Sequence, residues 1–140
     1  MANIVDMQNE MTRAWNAHDA AKVASLYAED CLYENEPAGA VAKGREAVKT
    51  FVEGVLSAFP DVKLEVKNSF VSGNSAASEI VMSGTNRGRL ASGAPATGKS
   101  FSVNLCAIAE YQGDLVKRNT IYWDMAALMR QLGLMPPAPG

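Results

Sequence analysis

Ile4, Met7, Met11, Ala14 and Trp15 recur at three- and four-residue intervals while Gln8, Asn9, Glu10 and Arg13 take the other side. This period predicts an amphipathic first helix ending near Asn16. Asp19 can cap a second, shorter helix with the apolar stripe Val23, Leu26 and Tyr27. The alternation through Cys31, Leu32, Tyr33, Glu34 and Asn35 then reads as a strand closed by Pro37. After a small-residue loop, Gly44 precedes a third helix with Ala47, Val48, Phe51, Val52, Val55 and Leu56 on one broad face, stopped by Pro60.

Beyond Pro60 the period changes to two. Val62 to Val66 alternates, Ser72-Gly73-Asn74 turns the chain, and Ala77 to Met82 forms the next strand. A glycine-rich polar loop from Gly84 to Lys99 leads to a strand from Phe101 to Ala109, and Gln112-Gly113-Asp114 turns into another from Leu115 to Trp123. Met125, Leu128, Met129 and Leu132 mark a last helix that Gly133 ends. The expectation is a single α+β domain over residues 1–135, with a mobile proline-rich tail over 136–140. A strongly curved sheet wrapped on the helices as a cone, enclosing a pocket, is the simplest way to bury this set.

Composition narrows the function. The 140 residues are 48% hydrophobic and 20% charged, in the range of ordinary globular proteins. Thirteen basic and fifteen acidic residues leave a net charge of −2 without a basic stretch, which argues against nucleic acid as a partner. No apolar run approaches the roughly 20 residues needed to cross a bilayer, and the opening residues lack the pattern of a secretion signal, so no membrane and a cytoplasmic location are expected. Cys31 and Cys106 stand in apolar runs without a CxxC spacing and read as buried thiols. His18, the only histidine, sits between two helices beside Asp19 and reads as an exposed turn residue. Neither a zinc site nor a nucleophilic triad has the residues it needs, and no metal or cofactor is implied.

Several stretches together resemble the SnoaL-like polyketide cyclases of the nuclear transport factor 2 superfamily. They are Trp15-Asn16-Ala17-His18-Asp19, Leu26-Tyr27-Ala28-Glu29-Asp30, Gly44 to Val48 with Phe59-Pro60-Asp61, Gly84 to Gly88, and Tyr122-Trp123-Asp124 running into Arg130 to Gly133. The resemblance implies a cone-shaped α+β barrel with a curved mixed or antiparallel sheet, an apolar pocket for a small hydrophobic molecule, and a homodimer. Tyr33-Glu34-Asn35-Glu36-Pro37 with Tyr122-Trp123-Asp124 also looks like limonene epoxide hydrolase, in which matching Tyr, Asn and Asp residues hold the attacking water. That resemblance implies catalytic roles for Tyr33, Asn35 and Asp124. The chain departs from both patterns, with Gly84 and Asn86 where the hydrolase has its proton-donating pair, and with Ile121 near the cyclases' acid–base position.

Each candidate also has a structural reading. Asp124 is either a pocket carboxylate acting as general base or the N-cap of the last helix. Tyr33 and Asn35 are two apart on a strand and share a face, in the pocket or in the core. Asn104, inside an apolar run, must find a partner or a ligand. Trp15, Asn86, Asn104 and Tyr122 are the expected substrate-binding residues. The function expected is a cofactor-independent enzyme performing cyclase-like or epoxide-opening acid–base chemistry, or alternatively a non-catalytic carrier of a hydrophobic ligand.

Overall fold

The computed structural model describes residues 3–135; the expected tail at 136–140 lies outside them. In chain order the elements are α1 (Ile4–Asn16), α2 (Ala20–Ser25), β1 (Tyr27–Asn35), β2 (Ala40–Lys43), α3 (Arg45–Ala58), β3 (Lys63–Ser72), β4 (Ser75–Thr85), β5 (Ser100–Gln112), β6 (Leu115–Trp123) and α4 (Met125–Gln131). Side-chain caps start three helices, with Asn3, Asp19 and Asp124 accepting from the backbone N–H of Asp6, Lys22 and Ala127. Before α3, Gly44 has φ +90°, a conformation that favours glycine, and a Cβ there would meet the Glu29 carbonyl at 3.3 Å.

The six strands form one mixed sheet in the order β2-β1-β6-β5-β4-β3. Only the β1–β6 pair is parallel; every other pair is antiparallel. The cone-shaped barrel expected from the sequence does not form. The sheet is open, with β2 and β3 as opposite edges that do not pair with each other, and it is not wrapped into a cone. Closure would require continuous pairing between the two edges, and the four-residue β2 offers little to pair with. Burial comes instead from helices laid on one face, where α1 packs against β3, α3 against β1 and α4 against β5.

Two further differences are local. Ala40–Lys43, read from sequence as loop, is an edge strand paired with Leu32 to Asn35. β5 runs to Gln112 and β4 to Thr85, beyond the apolar stretches that marked them. Strand alternation sends Tyr33 and Asn35 of β1, Asn119, Ile121 and Trp123 of β6, and the odd-numbered residues of β5 to the helix-covered face. The core divides into a cluster around Val23, Tyr27, Cys31, Val48 and Val52, and a second around Phe59, Val62, Phe101 and Leu132.

Candidate ligand-binding cavity

Between the sheet and the helices lies a cavity of about 220 Å³. Trp15 and Met11 come from α1, Phe51 and Val55 from α3, Leu128 from α4, and the inward residues of five strands complete the wall. Across β5 the wall is Phe101, Val103, Leu105, Ala107, Ala109 and Tyr111, so two small side chains lie between Leu105 and Tyr111. Both tryptophans of the chain, Trp15 and Trp123, line the space.

Among the described residues the lining contains no carboxylate, imidazole, ammonium or guanidinium group. Its polar groups are amides, hydroxyls and indoles. Asn35 is buried, and its Oδ1 accepts from Trp123 Nε1 at 2.9 Å. Tyr33 packs its ring against Phe51, centroids 4.8 Å apart, and edge-on to Tyr27. Tyr27 Oη accepts from Asn119 Nδ2 at 3.0 Å. Gln8, reaching down from α1, donates from Nε2 to Ser78 Oγ at 2.6 Å.

Burial sets the protonation of these groups. Desolvation of the phenolate raises Tyr27, and it raises Tyr33 well above the usual tyrosine value. The same cause pushes Tyr111 up to about 12. All three are neutral phenols through the physiological range, able to donate hydrogen bonds but not to serve as bases near pH 7. The arrangement can therefore orient a mostly apolar molecule and hydrogen-bond its oxygen or nitrogen atoms, including an oxygen on which negative charge develops.

The expected site residues fall into two groups. Tyr33, Asn35 and Trp15 line the cavity; Asp124, Asn86, Asn104 and Tyr122 do not. Asp124 is exposed, with Oδ1 accepting from Ala127 N at 3.0 Å as the N-cap of α4. Asn86 is fully buried outside the cavity and ties the following loop to α3. Its Nδ2 donates to Gly88 O at 2.8 Å and Ala58 O at 3.3 Å, and its Oδ1 accepts from Thr97 N at 2.8 Å. Asn104 and Tyr122 alternate with inward neighbours and stand exposed on the sheet's outer face. Cys31 is buried, whereas Cys106, expected to be buried, is only partly covered, because its even-numbered place on β5 puts it on that outer face. His18 donates from Nε2 to Val62 O at 2.8 Å, in the α1–α2 turn.

Gln8, Ser78 and Asn119 were missed. Gln8 was assigned to the solvent side of α1, yet it lies three and seven residues before Met11 and Trp15, on their stripe. Asn119 is two and four residues before Ile121 and Trp123, so strand parity alone places it among the inward positions. Among the described residues no three His, Cys, Asp or Glu side chains gather in a way that would hold a metal ion.

The architecture is a helix-covered open sheet over an apolar cavity with a few amides and phenols, a form in which α+β domains commonly hold small molecules. Residues 5–132 match the model of the SnoaL-like polyketide cyclases, and the chain belongs to that family. Among solved structures it is similar to AclR, a candidate hydroxylase from Streptomyces galilaeus, at 27% identity over 96% of this chain and 83% of that one, with a TM-score of 0.83. TsrD from Streptomyces laurentii shares 24% identity over 96% of this chain and all of its own, with a TM-score of 0.83. A protein of ketosteroid isomerase-like fold from Catenulispora acidiphila, in complex with trimethylamine, shares 18% identity over 93% and 94% of the two chains, with a TM-score of 0.82. The last two likenesses establish the fold alone. None of the curated proteins matches the chain.

Proposed function

We propose that this protein binds a small, mostly apolar molecule between its sheet and helices, with Tyr33, Asn35 and Trp15 in contact with it. The observation that carries this reading is the cavity, whose 220 Å³ falls below the roughly 300–1,000 Å³ of drug-sized sites. That size favours a single ring or a short branched chain over a polycyclic ketone. With both tryptophans in the wall, their emission reports occupancy directly. Titrating the protein with small cyclic alkanes, alcohols and ketones should shift that emission saturably. Ala107→Leu, which extends into the cavity, should abolish the response while leaving thermal unfolding nearly unchanged. Absence of any saturable response, or a response that Ala107→Leu leaves intact, refutes the reading.

A catalytic reading comes second. Its support is that Tyr33 and Asn35 both face the cavity, that Asp124 directly follows the lining residue Trp123, and that AclR is a candidate hydroxylase. In that reading the carboxylate of Asp124 leaves its capping position to act as base, in cyclisation or epoxide opening, while a phenol or amide of the cavity stabilises the developing oxyanion.

A second copy of the chain is the proposed partner for the sheet's outer face. Phe70 and Ile108, exposed by 64% and 37%, stand in one cross-strand row with Ala77 between them, and Tyr122, 50% exposed, lies beside it. An apolar row crossing three strands on a face without helices suits the self-complementary contact of a twofold dimer.

A further inference from the structure

Two buried polar atoms of cavity-lining residues have no hydrogen-bond partner among the described residues: Gln8 Oε1 and Asn119 Oδ1. Both residues line the cavity, and each spends its other amide atom on a fixed neighbour, Ser78 Oγ for Gln8 and Tyr27 Oη for Asn119. Turning either amide over exchanges the orphaned atom without removing it, because the hydroxyl it meets can donate as well as accept. The neighbours are themselves held, Ser78 by Ser69 at 3.3 Å and Tyr27 by its complete burial. An orphaned polar atom is costly in an apolar site. Here both belong to side chains that line the same cavity, and since neither atom carries accessible surface in the unliganded fold, a turn of the side chain presents it to that space.

Their placement separates them. Ser78, which fixes Gln8, is on β4, and Asn119 is on β6, with β5 between. Two strand spacings put those backbones roughly 9–10 Å apart. The side chains of β5 at this level are Ala107 and Ala109, the smallest in its part of the wall. The space over the two alanines therefore has a neutral amide at each side.

We infer that Gln8 and Asn119 are specificity-determining residues for a ligand that lies over Ala107 and Ala109 and carries an uncharged polar group, a hydroxyl or an amide, at one or both ends. This rests on the proposed binding function and adds the ligand's polar pattern. Hydroxyls and amides are the matching groups because each can donate and accept, as an amide in either orientation requires. A charged group would be desolvated with no opposite charge in the lining.

The test compares toluene, 4-methylphenol and 4-(hydroxymethyl)phenol, which share a ring and carry none, one and two hydroxyls. Dissociation constants come from calorimetric titration of the full-length protein and of Gln8→Met and Asn119→Leu. The phenol should bind at least about fivefold more tightly than toluene, the lower end of what pairing a buried orphan atom is worth, and the diol should bind at least as tightly as the phenol. Each variant should erase a preference for hydroxyl while retaining toluene binding. Ligand-free Gln8→Met should melt no lower than the parent, because it removes an orphan atom and Ser78 keeps Ser69; a lower melting temperature would mark Gln8 as structural and overturn its role. Asn119→Leu tests the other side independently should one variant not fold. Equal affinity for toluene and the phenols in parent and variants overturns the inference and leaves cavity binding standing. If none of the three binds while other small apolar molecules shift the tryptophan emission, the inference alone falls; if nothing binds, the binding function falls with it.

Discussion

Replacing Asn86 by alanine separates a structural role from ligand contact. In the folded protein its side chain makes three hydrogen bonds, two at 2.8 Å and one at 3.3 Å, joining the end of α3 to both sides of the 86–98 loop. Its backbone closes the base of the loop, pairing with Lys99 O at 2.9 Å and Gly98 N at 2.8 Å. Gly88 packs so closely on the end of α3 that a Cβ there would fall 2.0 Å from Ser57 O, so the loop has little room to find new partners. Each lost bond costs about 1 kcal/mol, and more where a buried partner is stranded, giving about 3 kcal/mol for Asn86→Ala. Unfolding entropy of roughly 2.1 cal/mol/K per residue over 140 residues is about 0.3 kcal/mol/K, so the melting temperature should fall by about 10 °C. Scanning calorimetry reads the shift, and tryptophan emission below the transition reads ligand affinity, which should be unchanged. A fall of less than about 3 °C together with a tenfold loss of affinity would refute the loop role and make Asn86 a ligand contact.

The other predictions concern charge and assembly. Asp124→Asn keeps a good cap and should leave stability and ligand affinity nearly unchanged, whereas Asp124→Ala should cost about 1 kcal/mol; turnover lost in Asp124→Asn with binding intact would establish the catalytic reading. Sedimentation equilibrium at micromolar concentration should give twice the 14.9 kDa chain mass, and Phe70→Glu should return the single chain; only 14.9 kDa in the parent would reject the dimer. Cys106 should react with maleimide faster than Cys31, whose thiol burial pushes above its ordinary pKa, and should slow as the dimer forms. The carboxyls of Asp61, Glu34 and Asp30 are lowered, chiefly by hydrogen bonds from the Thr85 backbone, from Arg118 and from Lys117 respectively. Folding thus favours their ionised forms, a contribution complete above the ordinary carboxylate range near pH 4 and lost as pH falls through the lowered values. The melting temperature should be flat from pH 7 to about pH 5 and decline below pH 4, and Asp61→Asn should make that decline shallower.

Much of the fold was legible because most elements obey one period and carry their own stop signals. α1 and α3 bury one stripe each, and Asp19 and Asp124 precede the helices they cap. β2 was not legible, since Ala40 to Lys43 are mostly exposed and owe their conformation to pairing with β1 rather than to any pattern of their own. Sheet closure was not legible either. Whether two edges meet depends on the length and register of the strands between them, and hydrophobic alternation leaves both undetermined.

The site was legible where parity was applied and obscure where residue type was used instead. Tyr33 and Asn35 reached the cavity by being two apart on one strand, and the same rule counted back from Trp123 reaches Ile121 and Asn119. Asn104 is a polar side chain in an apolar run and Tyr122 opens the Tyr122-Trp123-Asp124 stretch, but each is one residue out of phase with the inward row, and a shift of one moves a side chain through the sheet. Asp124 has its expected catalytic role from the resemblance to limonene epoxide hydrolase, and its alternative reading as N-cap from its place before the last helix. The inward position closest to it belongs to Trp123, with Ile121 before it, so the strand delivers an indole and a sec-butyl group to the cavity wall. A wall built this way offers a ligand shape and neutral hydrogen bonds and no charge, so the affinity of the proposed ligand should respond to its hydroxyls and to the amides of Gln8 and Asn119 rather than to pH.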